Sequence, residues 1–180
     1  MIKFSRVALG AALLAVSGLA AAVAAPTPVS TSVTTSGIVD ARDNSLVGGS
    51  AFDTGLFLAA GQAFSVSALA TDLWDNSGND PTYLSNADGH PFQMGTIDGY
   101  TDAIGSLIGE IGNGPLFHVG TSFAGSAGAS GELKFFYFDS DAWNNTGAVH
   151  VSATAVPEPM NIALMGLALG AFVLSRRRKA

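Results

Sequence analysis

Between Asp139 and Asn145 the chain places two carboxylates, Asp139 and Asp141, and two adjacent carboxamides, Asn144 and Asn145. All four side chains are hard oxygen donors, the ligand type that Ca²⁺ collects. The spacing is not that of an EF-hand, which needs an internal glycine and a closing glutamate in its loop. Period-two patterns flank the segment, at 132–138 on one side and 148–154 on the other. A loop carried by two strands can fix such donors on a rigid frame. On composition alone the residues suit an ordinary Asn/Asp-rich hairpin equally well.

Three other places carry groups with chemical potential. In Gly89-His90-Pro91-Phe92-Gln93, His90 and Gln93 are able to donate to a sugar hydroxyl, although a lone loop histidine is more often simply solvated. Trp74 lies between Asp72 and Asp75 near the end of a strand, and its ring can stack on a sugar or close the edge of the core. Asp98 and Asp102 raise the idea of glycoside hydrolysis, which needs paired carboxylates. No supporting motif accompanies them, so they read as solvated loop acids. No nucleophile elbow, zinc-protease helix or phosphate loop occurs. His118 and His150 fall inside strand patterns, which argues against a zinc triad.

The elements that must position these groups occupy the middle of the 180-residue chain. Residues 1–24 have Lys3 and Arg6, an apolar run from Val7, and Ala22-Val23-Ala24, the pattern of a secretory signal peptide cut before Ala25. The other end reads Val156-Pro157-Glu158-Pro159, an apolar segment Met160–Ser175, and Arg176-Arg177-Arg178-Lys179-Ala180. That segment has nearly the length of a spanning helix, and its basic end belongs on the cytoplasmic side. What remains, residues 25–156, suits one domain with one core. Apart from the two ends, only Arg42 and Lys134 are basic, against many acids. Such a surface excludes nucleic acid as a partner and suits divalent cations. There is no cysteine, so neither a disulfide nor a thiolate site can contribute.

Short strands are expected at 31–39, 55–59, 62–70, 115–119, 132–138 and 148–154, from period-two alternation and turn signals. Residues 101–111 fit helix or strand, and Gly105, Gly109 and Gly112 favour strand for the second half. Residues 71–99 and 124–131 read as loops. The pattern predicts an all-β antiparallel sandwich, with helices only in the signal peptide and the C-terminal apolar segment.

Taken in order, several segments resemble the LecA-type calcium-dependent, galactose-binding lectins. They are Ser65–Trp74, Asp88-Gly89-His90-Pro91-Phe92-Gln93, Ser106–Asn113, the strand ending in Asp139, and Asn144-Asn145-Thr146-Gly147. The resemblance spans roughly residues 34–154. It implies a jelly-roll, galactose-binding-like sandwich with one Ca²⁺ at its loop end. Asp139, Asn144 and Asn145 would ligate through side-chain oxygens and Trp74 through its carbonyl. A carbonyl near Asp141 or Ala142 would complete the shell, or Asp141 would do so with its carboxylate, since this loop is shorter than the family's. A galactose-like sugar would chelate the ion with vicinal hydroxyls, touched also by Asp139, Asn144 and Asn145. His90, Pro91 and Gln93 would line the sugar's primary hydroxyl. Phe92 departs from a polar position of that loop. Pro-Glu-Pro, the apolar segment and the basic end together resemble the PEP-CTERM sorting signal. That implies signal peptidase and exosortase as processing partners, transient anchoring through 160–175, and an exported protein of the cell surface or an exopolysaccharide (biofilm) matrix.

Overall fold

A computed structural model describes residues 31–78 and 80–156. The signal-peptide and sorting-signal expectations lie outside them. Twelve strands follow one another: β1 (Val33–Asp40), β2 (Phe52–Leu58), β3 (Ala63–Ala68), β4 (Trp74–Asp75), β5 (Leu84–Ser85), β6 (Met94–Ile97), β7 (Tyr100–Ala103), β8 (Leu107–Ile111), β9 (Phe117–His118), β10 (Ser122–Ser126), β11 (Gly131–Tyr137) and β12 (Thr146–Ala155). One 3-10 turn, Pro81–Tyr83, precedes β5 and is capped by Asp80, whose carboxylate accepts from Thr82 N.

The strands form two main antiparallel sheets. One runs β10-β3-β12-β4-β5, with β1 pairing β12 along its length, and the other runs β2-β11-β8-β9. Alternation explains the layers. In β3, Phe64, Val66 and Ala68 are buried while Ala63, Ser65 and Ser67 face solvent. In β11, Leu133, Phe135 and Tyr137 point the same way, into the core they share with Val149, Val151 and Ala153 of β12. β8 is buried on both faces, because the β6–β7 hairpin covers the outer side of its sheet. Ile97, Ile104, Ile108 and Phe138 form a second, smaller core there.

Two segments expected to be loops contain strands. Residues 71–99 hold β4, β5, β6 and the 3-10 turn, and residues 124–131 overlap β10. The first was hidden because two-residue strands are too short to show alternation. The second was hidden because Ala124, Gly125 and Ser126 carry no apolar signal, yet they pair in register with Ser65, Phe64 and Ala63. Asp98 is a solvated loop acid, as expected. It is the first residue of a two-residue hairpin turn, with φ +49° and Gly99 at +84°. An Asp-Gly pair with both φ values positive matches the right-handed twist of the strands it joins.

Candidate calcium and sugar site

The segment 139–145 does not make a hairpin. It leaves β11 in one sheet and enters β12 in the other, crossing one end of the sandwich. Its start is held by β11, where Tyr137 N donates to Asn44 O and Leu46 N to Tyr137 O. Its end is held where β12 begins, with Gly147 opposite Trp74 and Thr146 opposite Asp75. Gly147 has φ +89°, and a Cβ on it would stand 2.6 Å from Leu73 O and 2.8 Å from Trp74 Cα. Only glycine allows that approach, so the last residue of Asn-Asn-Thr-Gly has a packing reason of its own.

Trp74 is wholly buried and its ring belongs to the core. Nε1–H donates to Gly105 O at 2.7 Å and to Asn86 O at 3.1 Å, and the ring meets Tyr137 edge-on at 4.5 Å. β4 is paired on both sides, by β12 and β5, so Trp74 and Asp75 are fixed against the crossing loop.

Within the loop, Asp139 is buried and its Oδ1 accepts from Ser140 N at 2.7 Å. Burial pushes its carboxyl above the usual carboxylate range, and the charge of Asp141 adds to this. The Tyr137 phenol is also pushed up, first by burial and then by the negative charges of Asp139 and Asp75. Those two carboxylates therefore lie near one buried phenol. Asp75 Oδ1 accepts from Ser77 N and Ser77 Oγ.

The carboxamides are arranged in one sense. Asn145 Nδ2 donates to Asp141 O at 2.8 Å and Ala41 O at 3.3 Å. Asn144 Nδ2 donates to Asn76 O at 3.0 Å, and Asn76 Nδ2 to Gln93 Oε1 at 3.3 Å. The NH₂ groups of these three asparagines are each committed to a protein acceptor. The Oδ1 atoms of Asn76, Asn144 and Asn145, and one oxygen of Asp141, are buried with no donor. Each such acceptor costs about 1–3 kcal/mol if nothing compensates it. An oxygen-seeking cation supplies that compensation, so these residues fit Ca²⁺ by an observation independent of sequence. The Asp141 carbonyl already accepts from Ser45 Oγ and Asn145 Nδ2, which fills both its lone pairs and leaves the carboxylate as its available donor. Among the described residues, no three His, Cys, Asp or Glu side chains gather as metal ligands, so carboxamides must share in any such shell.

The upstream loop meets this cluster through Gln93 Oε1, and the Gln93 NH₂ has no partner among the described residues. His90 braces its own segment: Nε2 contacts Thr82 O at 3.1 Å and Nδ1 accepts from Phe92 N at 3.4 Å. Pro91 and Phe92 project into solvent, Phe92 with 91% exposure. Asn76 is the residue that sequence reasoning missed. Its only signal was a place two residues after Trp74 in a polar stretch.

Asp102 is corrected from a solvated loop acid to a buried strand residue. Its carboxylate accepts from Tyr100 Oη at 2.7 Å and contacts His118 Nδ1 at 2.9 Å. Asp98 sits at the hairpin tip, so the two do not form a facing pair of acids.

No protein-family model matches the chain, and no curated protein matches it significantly. Eight chains of solved structures do match. One is described as the EclA N-terminal domain, a PllA-like lectin; it is 25% identical with a TM-score of 0.51, over 67% of this chain and 95% of that one. The fold is lectin-like. Nearly all of that domain finds a counterpart here.

Proposed function

We propose that this chain is a calcium-dependent, galactose-like glycan-binding protein without catalytic activity. The observation that carries the reading is the set of buried, donorless oxygens on Asn76, Asp141, Asn144 and Asn145. The similarity to a PllA-like lectin domain supports it. Asn76, Asp139, Asp141, Asn144 and Asn145 hold Ca²⁺ through side-chain oxygens, with the Trp74 carbonyl beside them. A bound ion presents vacant coordination positions to vicinal hydroxyls, and a cis pair chelates best. Asp139, Asn144 and Asn145 orient those hydroxyls, and the free NH₂ of Gln93 donates to the sugar's primary hydroxyl. Pro91 shapes that edge, and His90 joins once it exchanges Thr82 for the sugar. On this reading the chain is exported, cut by signal peptidase before Ala25, sorted by exosortase through residues 157–180, and associated with extracellular polysaccharide at the cell surface.

A structural matrix protein with a stabilising Ca²⁺ is the second reading, favoured by the fact that both His90 ring nitrogens already have partners. A glycan array read in Ca²⁺ and in EDTA separates the two. Galactose-terminated probes are expected to bind in Ca²⁺ alone. Calcium-dependent melting with no glycan bound would leave only the structural reading.

A further inference from the structure

The loop joining β1 to β2 lies against the outer side of the crossing loop. It is braced within itself: Asp40 Oδ1 accepts from Arg42 N and Asp43 N, and Asn44 bridges Asp40 N to Ser50 O. It is also clamped to the site, because Ser45 Oγ donates to Asp141 O at 2.8 Å. Between the two loops is an open cavity of about 800 Å³. That lies within the roughly 300–1,000 Å³ of small-molecule sites. Arg42, Gly48, Asp141 and Trp143 are among its lining residues.

Three features give the cavity a chemical character. Asp141 is common to it and to the cluster of donorless oxygens, so a ligand held at the ion reaches the cavity with its next residue. Trp143 lies two residues further on and is 74% exposed, an unusual state for so large an apolar ring inside a rigid loop. Arg42 is one of only two Lys or Arg side chains among the described residues, and no carboxylate there pairs with it. Its guanidinium presents a fork of donors suited to a carboxylate. Lys134, the other, lies on β11 and does not line the cavity, so among the described residues Arg42 is the cation an anionic ligand there would meet. Two carboxylates also line it, Asp43 and Asp141; the calcium offsets the charge of Asp141, and Asp43 opposes such a ligand and keeps the preference modest.

We propose that this cavity is a second sugar subsite that takes a uronic acid residue linked to the calcium-held sugar, with Trp143 under its ring and Arg42 on its carboxylate. The inference rests on the lectin reading above and names the polymer class as an acidic polysaccharide.

The test measures binding of the full chain in Ca²⁺ to two disaccharides, galactosyl-galactose and galactosyl-galacturonic acid, whose terminal galactose keeps its vicinal and primary hydroxyls free and whose second residues differ only in a hydroxymethyl or a carboxylate at C6. The native chain is expected to prefer the acidic probe by about fivefold, within the range of an exposed charge pair. Raising salt from about 0.05 to about 0.5 M shrinks the preference, since the pair is solvent-screened. Arg42→Gln brings the ratio to about one, and Trp143→Ala weakens the acidic probe by about tenfold. Melting curves of both variants in Ca²⁺ verify that they are folded. Equal binding of the two probes by the native chain, or a preference that survives in R42Q, overturns the subsite while calcium-dependent binding of the neutral probe stands. Binding of neither probe, with calcium still raising the melting temperature, overturns both readings together.

Discussion

Asn144 donates its Nδ2–H to the carbonyl of Asn76 at 3.0 Å across 68 residues of sequence. This bond joins the crossing loop to the segment after β4, and Asn76 extends the link to Gln93. Two loops that carry separate parts of the candidate site are thereby one structure.

Asn76→Ala separates the metal role of that residue from its structural role. The substitution keeps the carbonyl that Asn144 uses and removes a donorless Oδ1 and a long bond to Gln93. Stability in EDTA is expected to change by less than about 1 kcal/mol, because losing an unsatisfied acceptor offsets losing a weak bond. Calcium affinity is expected to fall about tenfold through the loss of one oxygen ligand. Calorimetric titration checks this, and an unchanged affinity removes Asn76 from the shell.

Asp139 makes the pH dependence change sign with calcium. Its carboxyl is raised above the ordinary carboxylate range, by burial first and by Asp141 second. Without metal, the folded state holds this proton more tightly than the unfolded chain does. The contribution to stability is therefore present at low pH and is lost as pH rises through the folded value. On the proposed calcium reading the ionised form is the ligand, so in Ca²⁺ stability is expected to rise over the same window. The gap between melting temperatures in Ca²⁺ and EDTA is expected to widen from about pH 4 upward. Asp139→Asn is expected to stabilise the metal-free protein by about 1 kcal/mol and abolish the calcium response. A gap that is flat with pH would count against Asp139 as a ligand.

The strands with strong alternation were legible in the sequence, since Phe64, Val66 and Ala68 or Leu133, Phe135 and Tyr137 announce a buried face directly. The oxygen-rich segment was legible as composition. Its crossing from sheet to sheet was not, because that depends on which strands pair, a matter of long-range contacts. Asn76 was invisible for the same reason: its importance comes from Asn144 and Gln93, and neither is near it in sequence. Asp102 misled because a carboxylate between Thr101 and Ala103 reads as solvated until Tyr100 and His118 are seen to cover it.

Trp74→Phe tests the anchor beneath the site. The ring volume falls and two carbonyls, of Gly105 and Asn86, lose their indole donor. A loss of about 2–3 kcal/mol is expected, combining the orphaned buried acceptors with lost packing. Urea unfolding followed by circular dichroism measures it. A change under about 0.5 kcal/mol would show that those carbonyls find water instead.

Gly147→Ala should be among the most damaging single-methyl changes in the domain. The left-handed backbone at φ +89° costs a non-glycine residue about 1–2 kcal/mol. The added carbon would also stand 2.6 Å from Leu73 O, so β4 must move away from β12. That shift carries Trp74 and Asp75 away from Asn144 and Asn145, and calcium affinity falls with stability. Gly99→Ala is the matched control: φ is +84° there too, but nothing lies within 4 Å of the added carbon. The expected result is a total loss of about 3 kcal/mol or more for G147A against about 1 kcal/mol for G99A. Only G147A should weaken the calcium-induced rise in melting temperature. Equal effects of the two substitutions on that rise would mean that the register of β4 against β12 does not position the ion's ligands.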